Sequence, residues 1–509
     1  MSGLYKETIQ SKNGLLIPIY ASGRAAHSKY DPEREAQAFG QETSESSFAV
    51  IIGAAGGYHI KSLLEKNPSC ALVVIEKTQE DLDFLLQNIP CLAELSKNPN
   101  ITFCAADVEG QIESALAQKY FPAHYGAISI LSLRSWVQEA QEDFEKILSR
   151  ARGALNQISA DYSTQAHFGR LWTKNIFCNL KTLTKIQEGG QGQIELCEAD
   201  IKKTAAIIAA GPSLDQSVKE IIENREKYFV IATDTALKAF GRRNIKVDAV
   251  VSIDAQYLSA EHFNAASRKG TIFVLDLSAN PSIANYALEK KAKVIFTNSG
   301  HPLISFASNF CKKPFARLSS GGGTVAICAA DFARKCGFEK IKIFGADFGY
   351  SQGKPYTKGT YLDDLYQAGQ NKKHNAETAF ARLMFRTELE KNSRGFLQSP
   401  TLLRYQETIE AFLGKWEWKD NVYQSSNQGA ATKAAFEENA FDFEAFAAAI
   451  RSTAEKLEKT DEFVPEESLI LPEMAYWRAQ EDKKGSKKIS TKEIKKLALK
   501  SILLYNKLI

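Results

Sequence analysis

Two series of short apolar runs, each followed by a helical pattern, constrain the fold of this chain more than any other feature. The first series begins at Phe48 with "FAVIIGAAGGYHIKSLLEK", in which a buried strand, a glycine-rich turn and a helix follow one another. The second begins at Thr204 with "TAAIIAAGPSLDQS" and ends with the strand "KIKIFGADFGY". Strands that alternate with helices form parallel sheets, because a parallel pair needs a crossover connection. The sequence therefore predicts an α/β protein with two such domains.

The same pattern divides the 509 residues into five predicted segments. We predict a Rossmann-like domain over 46–150 and a larger α/β domain with a parallel sheet over 201–420. A helical linker over 151–200 joins them. A short lead-in over 1–45 and an α-helical C-terminal domain over 421–509 complete the chain.

Composition and charge exclude several functional classes. The chain has 64 basic and 60 acidic residues, a balance that does not indicate nucleic-acid binding. No apolar run approaches the roughly 20 residues that cross a bilayer, and "MSGLYKETIQ" lacks the pattern of a signal peptide. The eight cysteines form no C-x-x-C pair, so we expect free thiols and no zinc site. These features predict a cytoplasmic protein without membrane insertion.

The turn in "IIAAGPSLDQS" is the clearest candidate for a binding site. A helix that begins there leaves its first N–H groups unpaired, and its dipole adds partial positive charge. Pro212 fits the first turn because its missing N–H is not needed, and Ser213 can cap the helix or offer its hydroxyl. The turn favours a phosphate or a carboxylate, and a capped connection without a ligand is the alternative. It is neither a Walker A loop nor a dinucleotide fingerprint.

Other polar groups are predicted at the same edge of the second sheet. Asp234 and Asp254 each follow a predicted strand, where they can take ribose hydroxyls or a metal, and Asp234 can instead cap a helix. The stretch "RLSSGGGTVAI" offers a second glycine-rich turn before a helix. The loop "GADFGYSQGKPYTKGTY" holds three tyrosines that can donate to phosphate oxygens, unless it is an ordinary solvent-facing loop.

Together, these motifs resemble those of bacterial sialyltransferases that use CMP-activated sialic acid. Those enzymes carry Gly-Pro-Ser-Leu after the first strand, Ser-Gly before a helix, and Gly-x-Asp-Phe followed by tyrosines. The layout of the chain most resembles the motility-associated factor family, which combines a Rossmann-like domain, a sialyltransferase-like domain and a helical C-terminal region. Members glycosylate flagellin serines or threonines with nonulosonic acids of the sialic, pseudaminic or legionaminic type. The resemblance covers most of the chain in layout and residues 204–360 in motif detail.

The resemblance implies a site for a CMP-nonulosonic acid donor. The residues that it implies for binding the nucleotide, the donor phosphate and the sugar carboxylate are Gly211, Pro212, Ser213, Leu214, Asp234, Asp254, Arg317, Ser320, Gly321 and Gly322. The chain departs from the family pattern in two places. Ala209 stands where the family has a glycine, and Gly349 is inserted before Tyr350.

The resemblance also implies an inverting, metal-independent transfer that requires no cofactor beyond the activated sugar. Cytidylate leaves as a phosphate anion, which Tyr350 and Tyr356 would stabilise by hydrogen bonds. The acceptor hydroxyl must lose its proton to a general base. His374, downstream of the tyrosines, is the first candidate for that base. His301, Asp347 and Asp254 are the alternatives.

Two alternatives from other classes remain open. Archaeal pterin diphosphokinases also resemble the central domain, and in such an enzyme Asp234 and Asp254 would hold Mg²⁺ beside ATP. The tyrosine-containing loop and the large additional domains favour the transferase. A flagellin-binding scaffold with two degenerate nucleotide sites is the third interpretation.

The two ends of the chain carry weaker signals. "IIGAAGGYHI" with Glu76 at the end of the next strand resembles an S-adenosylmethionine or dinucleotide fingerprint, and we favour a structural or docking role for it. The basic stretch "DKKGSKKISTKEIKKLALKS" would contact acidic flagellin or a flagellar export chaperone, unless it is a solvated helix face.

Overall fold

The chain forms two compact units in its computed structural model. The first contains residues 1–169 and 471–501, and the second contains 170–470 and 502–509. The structure describes residues 3–39, 47–190, 196–263, 270–320, 324–351, 353–370, 375–414, 416–419, 422–425, 440–459, 465–482 and 491–509. The five segments that we expected from the sequence are not tested by this division into two units and stay a prediction.

The first unit holds a four-stranded parallel sheet with the order β5-β4-β3-β6 and a separate antiparallel hairpin, β1-β2. Its elements are β1 (Tyr5–Gln10), β2 (Leu16–Tyr20), α1 (Pro32–Phe39), β3 (Phe48–Ile52), α2 (Tyr58–Lys66), β4 (Ala71–Glu76), α3 (Gln79–Asn88), α4 (Pro90–Leu95), β5 (Ile101–Ala105), α5 (Gln111–Lys119), α6 (Pro122–Tyr125), β6 (Ile128–Ser132), α7 (Arg134–Glu139) and the first part of α8 (Gln141–Glu188). Every residue of β3 and β4 is buried, as expected for parallel strands that are covered on both faces.

The second unit holds a nine-stranded sheet with the order β12-β11-β10-β9-β8-β7-β13-β17-β16. Its elements up to the last parallel strand are α9 (Glu198–Ile201), β7 (Thr204–Ile208), α10 (Leu214–Glu223), β8 (Tyr228–Thr233), α11 (Asp234–Arg242), β9 (Ala249–Ser252), β10 (Ile272–Asp276), α12 (Pro281–Glu289), β11 (Lys293–Asn298), α13 (Pro302–Ala307), β12 (Ala316–Arg317), α14 (Val325–Lys335) and β13 (Lys340–Phe344). These strands pair in parallel, whereas β17 pairs antiparallel with both β13 and β16.

The remaining elements are mainly helical. They are α15 (Tyr361–Ala368), α16 (Ala376–Met384), β14 (Glu390–Lys391), β15 (Leu397–Gln398), α17 (Pro400–Leu413), β16 (Trp416–Lys419), β17 (Val422–Ser425), α18 (Phe443–Lys459), α19 (Leu471–Asp482) and α20 (Thr491–Leu508). The predicted α/β class with parallel sheets and a helical C-terminal region is therefore confirmed. All helices among the described residues are too short or too polar to cross a bilayer.

The order of strands in the second sheet changes direction at β7. From β7 the chain proceeds through β8, β9, β10 and β11 to β12 on one side, and β13 then returns to the other side of β7. In open α/β sheets, ligands bind at the carboxyl ends of the strands beside such a reversal. The turn Gly211–Leu214 follows β7, and the "GADFGY" loop follows β13, so both predicted motifs lie at this point.

The end of α8 that belongs to the second unit holds two loops of this sheet. The amide of Asn175 donates to the carbonyl oxygens of Ala255 and Ser278, each at 3.0 Å. One helical turn later, the amide of Asn179 donates to Leu277 at 2.9 Å and Ala279 at 2.8 Å. The connections that follow β9 and β10 are thus fixed by two side chains of one helix.

Candidate active site

The backbones that leave β7 and β13 touch at two glycines. The N–H of Gly211 donates to the carbonyl oxygen of Gly345 at 2.7 Å. Gly345 has φ +69°, and a Cβ added there would lie 2.3 Å from the carbonyl oxygen of Ala209. A Cβ added to Gly211 would lie 2.5 Å from a carboxylate oxygen of Asp347. Both glycines are therefore needed to bring the two loops together.

The group that sits against the Gly-Pro-Ser-Leu turn is a carboxylate of the protein itself. Asp347 is buried, and its Oδ2 accepts the backbone N–H of Ser213 at 2.8 Å. The next two N–H groups donate within the turn, from Leu214 to Gly211 at 3.1 Å and from Asp215 to Pro212 at 3.2 Å. The physical argument for an anion at this turn is correct, but Asp347 occupies the place that we expected a ligand to take.

The tyrosine-containing loop is joined to the same turn by Asp215, a residue that the sequence analysis missed. Its Oδ1 accepts from the Thr357 hydroxyl and from the Arg243 guanidinium, each at 2.6 Å. The N–H of Thr357 also donates to the carbonyl oxygen of Ala210 at 2.9 Å. An acidic residue in the first turn of a helix is common, so nothing in the sequence marked Asp215 as a link to a loop 142 residues away.

Asp234 is the first residue of α11, where it accepts an N–H of the first turn and contacts the neighbouring strand. Its Oδ1 accepts from the N–H of Thr235 at 2.7 Å, and its Oδ2 accepts from the Ser252 hydroxyl at 2.7 Å. Asp254, after β9, accepts the N–H of Gln256 at 2.9 Å. Burial raises the pKa of Asp254, and the Asp234 carboxylate adds to this increase.

These two aspartates share their surroundings with a tyrosine and a histidine. Burial raises the pKa of Tyr356 to about 12, with a contribution from Asp234. Burial lowers the pKa of His262, and the charges of Asp234 and Asp254 oppose this decrease. The hydrogen bond from Ser252 ties Asp234 to the end of β9, and Asp254 follows two residues later. The binding roles of Asp234, Asp254 and Tyr356 stay predictions. His262 is an addition that the sequence analysis missed, and its one signal was its place eight residues after Asp254.

The backbone that leads to Tyr350 is constrained on both sides. Phe348 has φ +47°, a left-handed conformation that is uncommon for a non-glycine residue. The N–H of Tyr350 donates to the carbonyl oxygen of Leu397 at 2.7 Å. Burial raises the pKa of Tyr350, so its hydroxyl stays protonated at neutral pH. Gly349, the residue inserted relative to the family pattern, thus lies in a defined turn just before Tyr350.

The second glycine-rich turn is described only at its beginning. The Ser320 hydroxyl donates to the carbonyl oxygen of Ser299 at 3.0 Å, and Arg317 is exposed at the end of β12. Gly321 and Gly322 lie outside the described residues, as does His374. The roles implied for these residues stay predictions.

His301 has a structural role. Its Nδ1 accepts the N–H of Leu303 at 3.1 Å and so caps α13, and burial lowers its pKa to about 3. The described parts of the chain contain no group of three His, Cys, Asp or Glu side chains that could hold a metal ion.

Comparison with known proteins finds relatives for parts of the chain. A family model described as "6-hydroxymethylpterin diphosphokinase MptE-like" matches residues 174–353. An uncharacterized protein of Treponema pallidum (strain Nichols) is 31% identical over 155 residues, which are 30% of this chain and 71% of that protein. The chain belongs to the family of this protein. Two further uncharacterized Treponema pallidum proteins are 40% and 22% identical, over 40% and 46% of their lengths and 22% and 44% of this chain.

One solved structure is similar over nearly the whole chain. It is the structure of a MAf glycosyltransferase from Magnetospirillum magneticum AMB-1, with a TM-score of 0.56 and 12% sequence identity. The match covers 99% of this chain and 92% of that one. At this identity the likeness shows the fold. The resemblance to the motility-associated factor family that the motifs predicted is confirmed by this shared fold.

The nucleotide fingerprint of the first unit is occupied by the protein's own side chains. Glu76 is fully buried, and its Oε1 accepts from the Trp136 indole at 2.7 Å. Its Oε2 accepts from the N–H of Ala54 at 2.9 Å and from the Tyr5 hydroxyl at 3.2 Å. A Cβ added to Gly53 would lie 2.6 Å from the Trp136 ring. The structure therefore supports the structural role that we favoured for this loop.

We predict that Glu76→Gln lowers the free energy of unfolding by about 2–3 kcal/mol, because an amide presents donors where an acceptor is needed. The exposed Glu109→Gln makes the same change in charge and should cost less than about 0.5 kcal/mol. Urea unfolding of both variants gives the comparison. A Glu76→Gln protein as stable as the wild type would instead indicate that Glu76 is reserved for a ligand.

Proposed function

We propose that this chain is a glycosyltransferase that moves a nonulosonic acid from a CMP-activated donor to serine or threonine hydroxyls of flagellin. The observation that carries the proposal is the arrangement of polar groups at the carboxyl ends of the strands. The Ser252 hydroxyl joins Asp234 to the strand that precedes Asp254. Asp215 holds Thr357, the neighbour of Tyr356. The fold shared with the MAf glycosyltransferase supports the transferase class. The nature of the donor and the acceptor follows from the motifs.

In this proposal the donor lies along the carboxyl ends of β7, β8 and β9. Asp234 and Asp254 accept hydrogen bonds from the ribose hydroxyls, because each carboxylate oxygen can accept more than one bond. Ser320 and Arg317 contact the donor phosphate or the sugar carboxylate, with Gly321 and Gly322 of the same turn completing this contact.

Tyr356 and Tyr350 act on the leaving group. Tyrosine hydroxyls are protonated at neutral pH, and burial raises the pKa of both further, so each can donate to the phosphate of departing cytidylate. Donors that are fixed in a partly dry site stabilise developing negative charge well. The displacement proceeds in one step, inverts the anomeric carbon and uses no metal ion.

We assign the Gly-Pro-Ser-Leu turn and Asp347 a positioning role. Asp347 holds the N–H of Ser213, and Asp215 holds Thr357, so the turn fixes the loop that carries Tyr356. Gly211, Pro212 and Leu214 then shape the floor of the nucleotide site. In this role the turn does not need to bind phosphate through its backbone, whose N–H groups already donate to Asp347 and within the turn.

The reaction is placed in the cytoplasm, with flagellin as acceptor and a flagellar export chaperone as a further partner. All eight cysteines are free, as is usual in a reducing compartment. The second half of the basic stretch that we expect such partners to contact, 491–501, forms the first turns of α20.

A magnesium- and ATP-dependent diphosphokinase is the second candidate. The description of the family model that matches residues 174–353 favours it. In that enzyme Asp234 and Asp254 would bind Mg²⁺, and ATP would bind where we place the CMP donor.

Thermal unfolding with separately added nucleotides distinguishes the candidates. We expect CMP and CTP to stabilise the protein without metal by about 2.7 kcal/mol at a hundredfold their dissociation constant, whereas UDP and S-adenosylmethionine should not. Ser213→Trp, at the turn, should abolish the effect. Lys219→Trp, on the exposed face of the same helix, should keep it.

The other outcomes are equally informative. Stabilisation by ATP only in the presence of Mg²⁺ would replace the transferase with the diphosphokinase. The absence of stabilisation by every cytidine nucleotide would favour the non-catalytic flagellin-binding scaffold.

A further inference from the structure

A buried histidine beside the proposed donor site has a ring nitrogen without a partner. His262 ends the short 3-10 helix Tyr257–His262 and is 8% exposed, and its Nδ1 makes no hydrogen bond to any of the residues that the structure describes. Most buried polar atoms have a partner, so an unpaired one suggests a catalytic role or a ligand. The ring of His301 likewise has an unpaired nitrogen, Nε2, but its Nδ1 caps a helix and burial alone lowers its pKa.

The charged groups that act on His262 come from α11, from the end of β9 and from its own 3-10 helix, against which α12 also packs. The 3-10 helix lies against α11, which supplies Asp234 and Lys238. Asp254 approaches from the end of β9, and Glu261 is the neighbour of His262 in the chain. The ring of Tyr361, at the start of α15, meets the imidazole edge-on at 5.8 Å between centroids.

We propose that His262 is the general base that removes the proton from the acceptor hydroxyl, a role that rests on the function proposed above. The proton moves from the acceptor oxygen to Nδ1 of His262, and that oxygen bonds to the anomeric carbon. The bond between this carbon and the cytidylate oxygen breaks, and its electron pair leaves with the phosphate. The carboxylates of Asp234 and Asp254 stabilise the imidazolium, which then releases its proton to solvent.

The protonation state of the free protein suits this role. Burial lowers the pKa of His262 below the ordinary value of 6.5, so the ring is neutral and able to accept a proton at pH 7. The transfer rate should therefore fall as the pH decreases through that pKa, because protonation removes the base.

The test measures kcat and KM of the full chain with flagellin monomers and CMP-activated sialic, pseudaminic and legionaminic acids. We expect His262→Asn to lower kcat at least 100-fold, to change the KM for the donor less than threefold, and to abolish the acidic limb of the pH profile. His301→Asn is the matched control, since asparagine can cap α13 in its place, and it should keep wild-type kcat.

A second variant tests the same role without removing the histidine. Asp254→Asn removes a charge that raises the pKa of His262, so the acidic limb should move to lower pH. An unchanged limb, or an acidic limb that persists in His262→Asn and disappears in His374→Asn, would overturn the proposal. If the wild type transfers none of the three sugars, the proposed function fails as well. If the wild type is active and His262→Asn is equally active, only the assignment of His262 as the base fails.

Discussion

The Tyr356→Phe variant is expected to transfer sugar about 100- to 1,000-fold more slowly than the wild type, while its affinity for CMP changes little. The phenyl ring preserves packing, so the change removes only a hydroxyl, which is protonated at neutral pH and whose pKa burial raises further, to about 12. Loss of one fixed donor to developing charge has an effect of this size in other enzymes. Single-turnover release of CMP in the presence of flagellin measures it.

Tyr366→Phe is the matched control for this variant. Tyr366 lies on α15, and its ring packs edge-on against Phe380 at 5.5 Å. Removal of its hydroxyl should leave the single-turnover rate within about threefold of the wild type. Equal losses in both variants would show that the tyrosine hydroxyls hold the loop rather than act on the leaving group.

The Gly345→Ala variant is expected to be among the least stable single substitutions in the second unit, with a loss of about 4 kcal/mol or more. The added methyl group would lie 2.3 Å from the carbonyl oxygen of Ala209, and φ +69° is itself unfavourable for alanine. The overlap falls on backbone, which cannot rotate away as a side chain can. Urea unfolding followed by circular dichroism measures the loss.

Gly353→Ala separates the two causes. Gly353 has φ +68°, but no atom of the described residues lies within 4 Å of an added Cβ. It therefore carries the conformational cost alone, about 1–2 kcal/mol. If both variants lose equal stability, the close approach of the loops after β7 and β13 is not what requires a glycine.

The parts of the fold that follow from local pattern were predictable. The apolar runs in "FAVII" and "AAIIAA" are short and continuous, which indicates parallel strands, and the glycines mark the turns after them. The strands β16 and β17 were not predicted, because they are four residues long and show no continuous apolar run. They add the antiparallel edge beside β13.

The candidate site was predictable where a residue lies at the end of a strand. Asp234 and Asp254 were found in this way, and the hydrogen bond from Ser252 to Asp234 joins the ends of β8 and β9 that precede them. The partner of Ser213 was not predictable, because Asp347 is 134 residues further along the chain and no periodicity links the two. His262 was missed for a related reason: burial and an unpaired nitrogen are properties of the folded chain.

Asn175 and Asn179 on α8 bear on where a fragment that contains the second sheet should begin. Their four hydrogen bonds satisfy carbonyl oxygens in the loops that follow β9 and β10. A fragment cut at β7 would leave these carbonyls without donors, although it would keep every strand of the sheet. The family model begins its match at residue 174, one position before Asn175. The region that the family model matches therefore starts on a helix, thirty residues ahead of the first strand of the second unit.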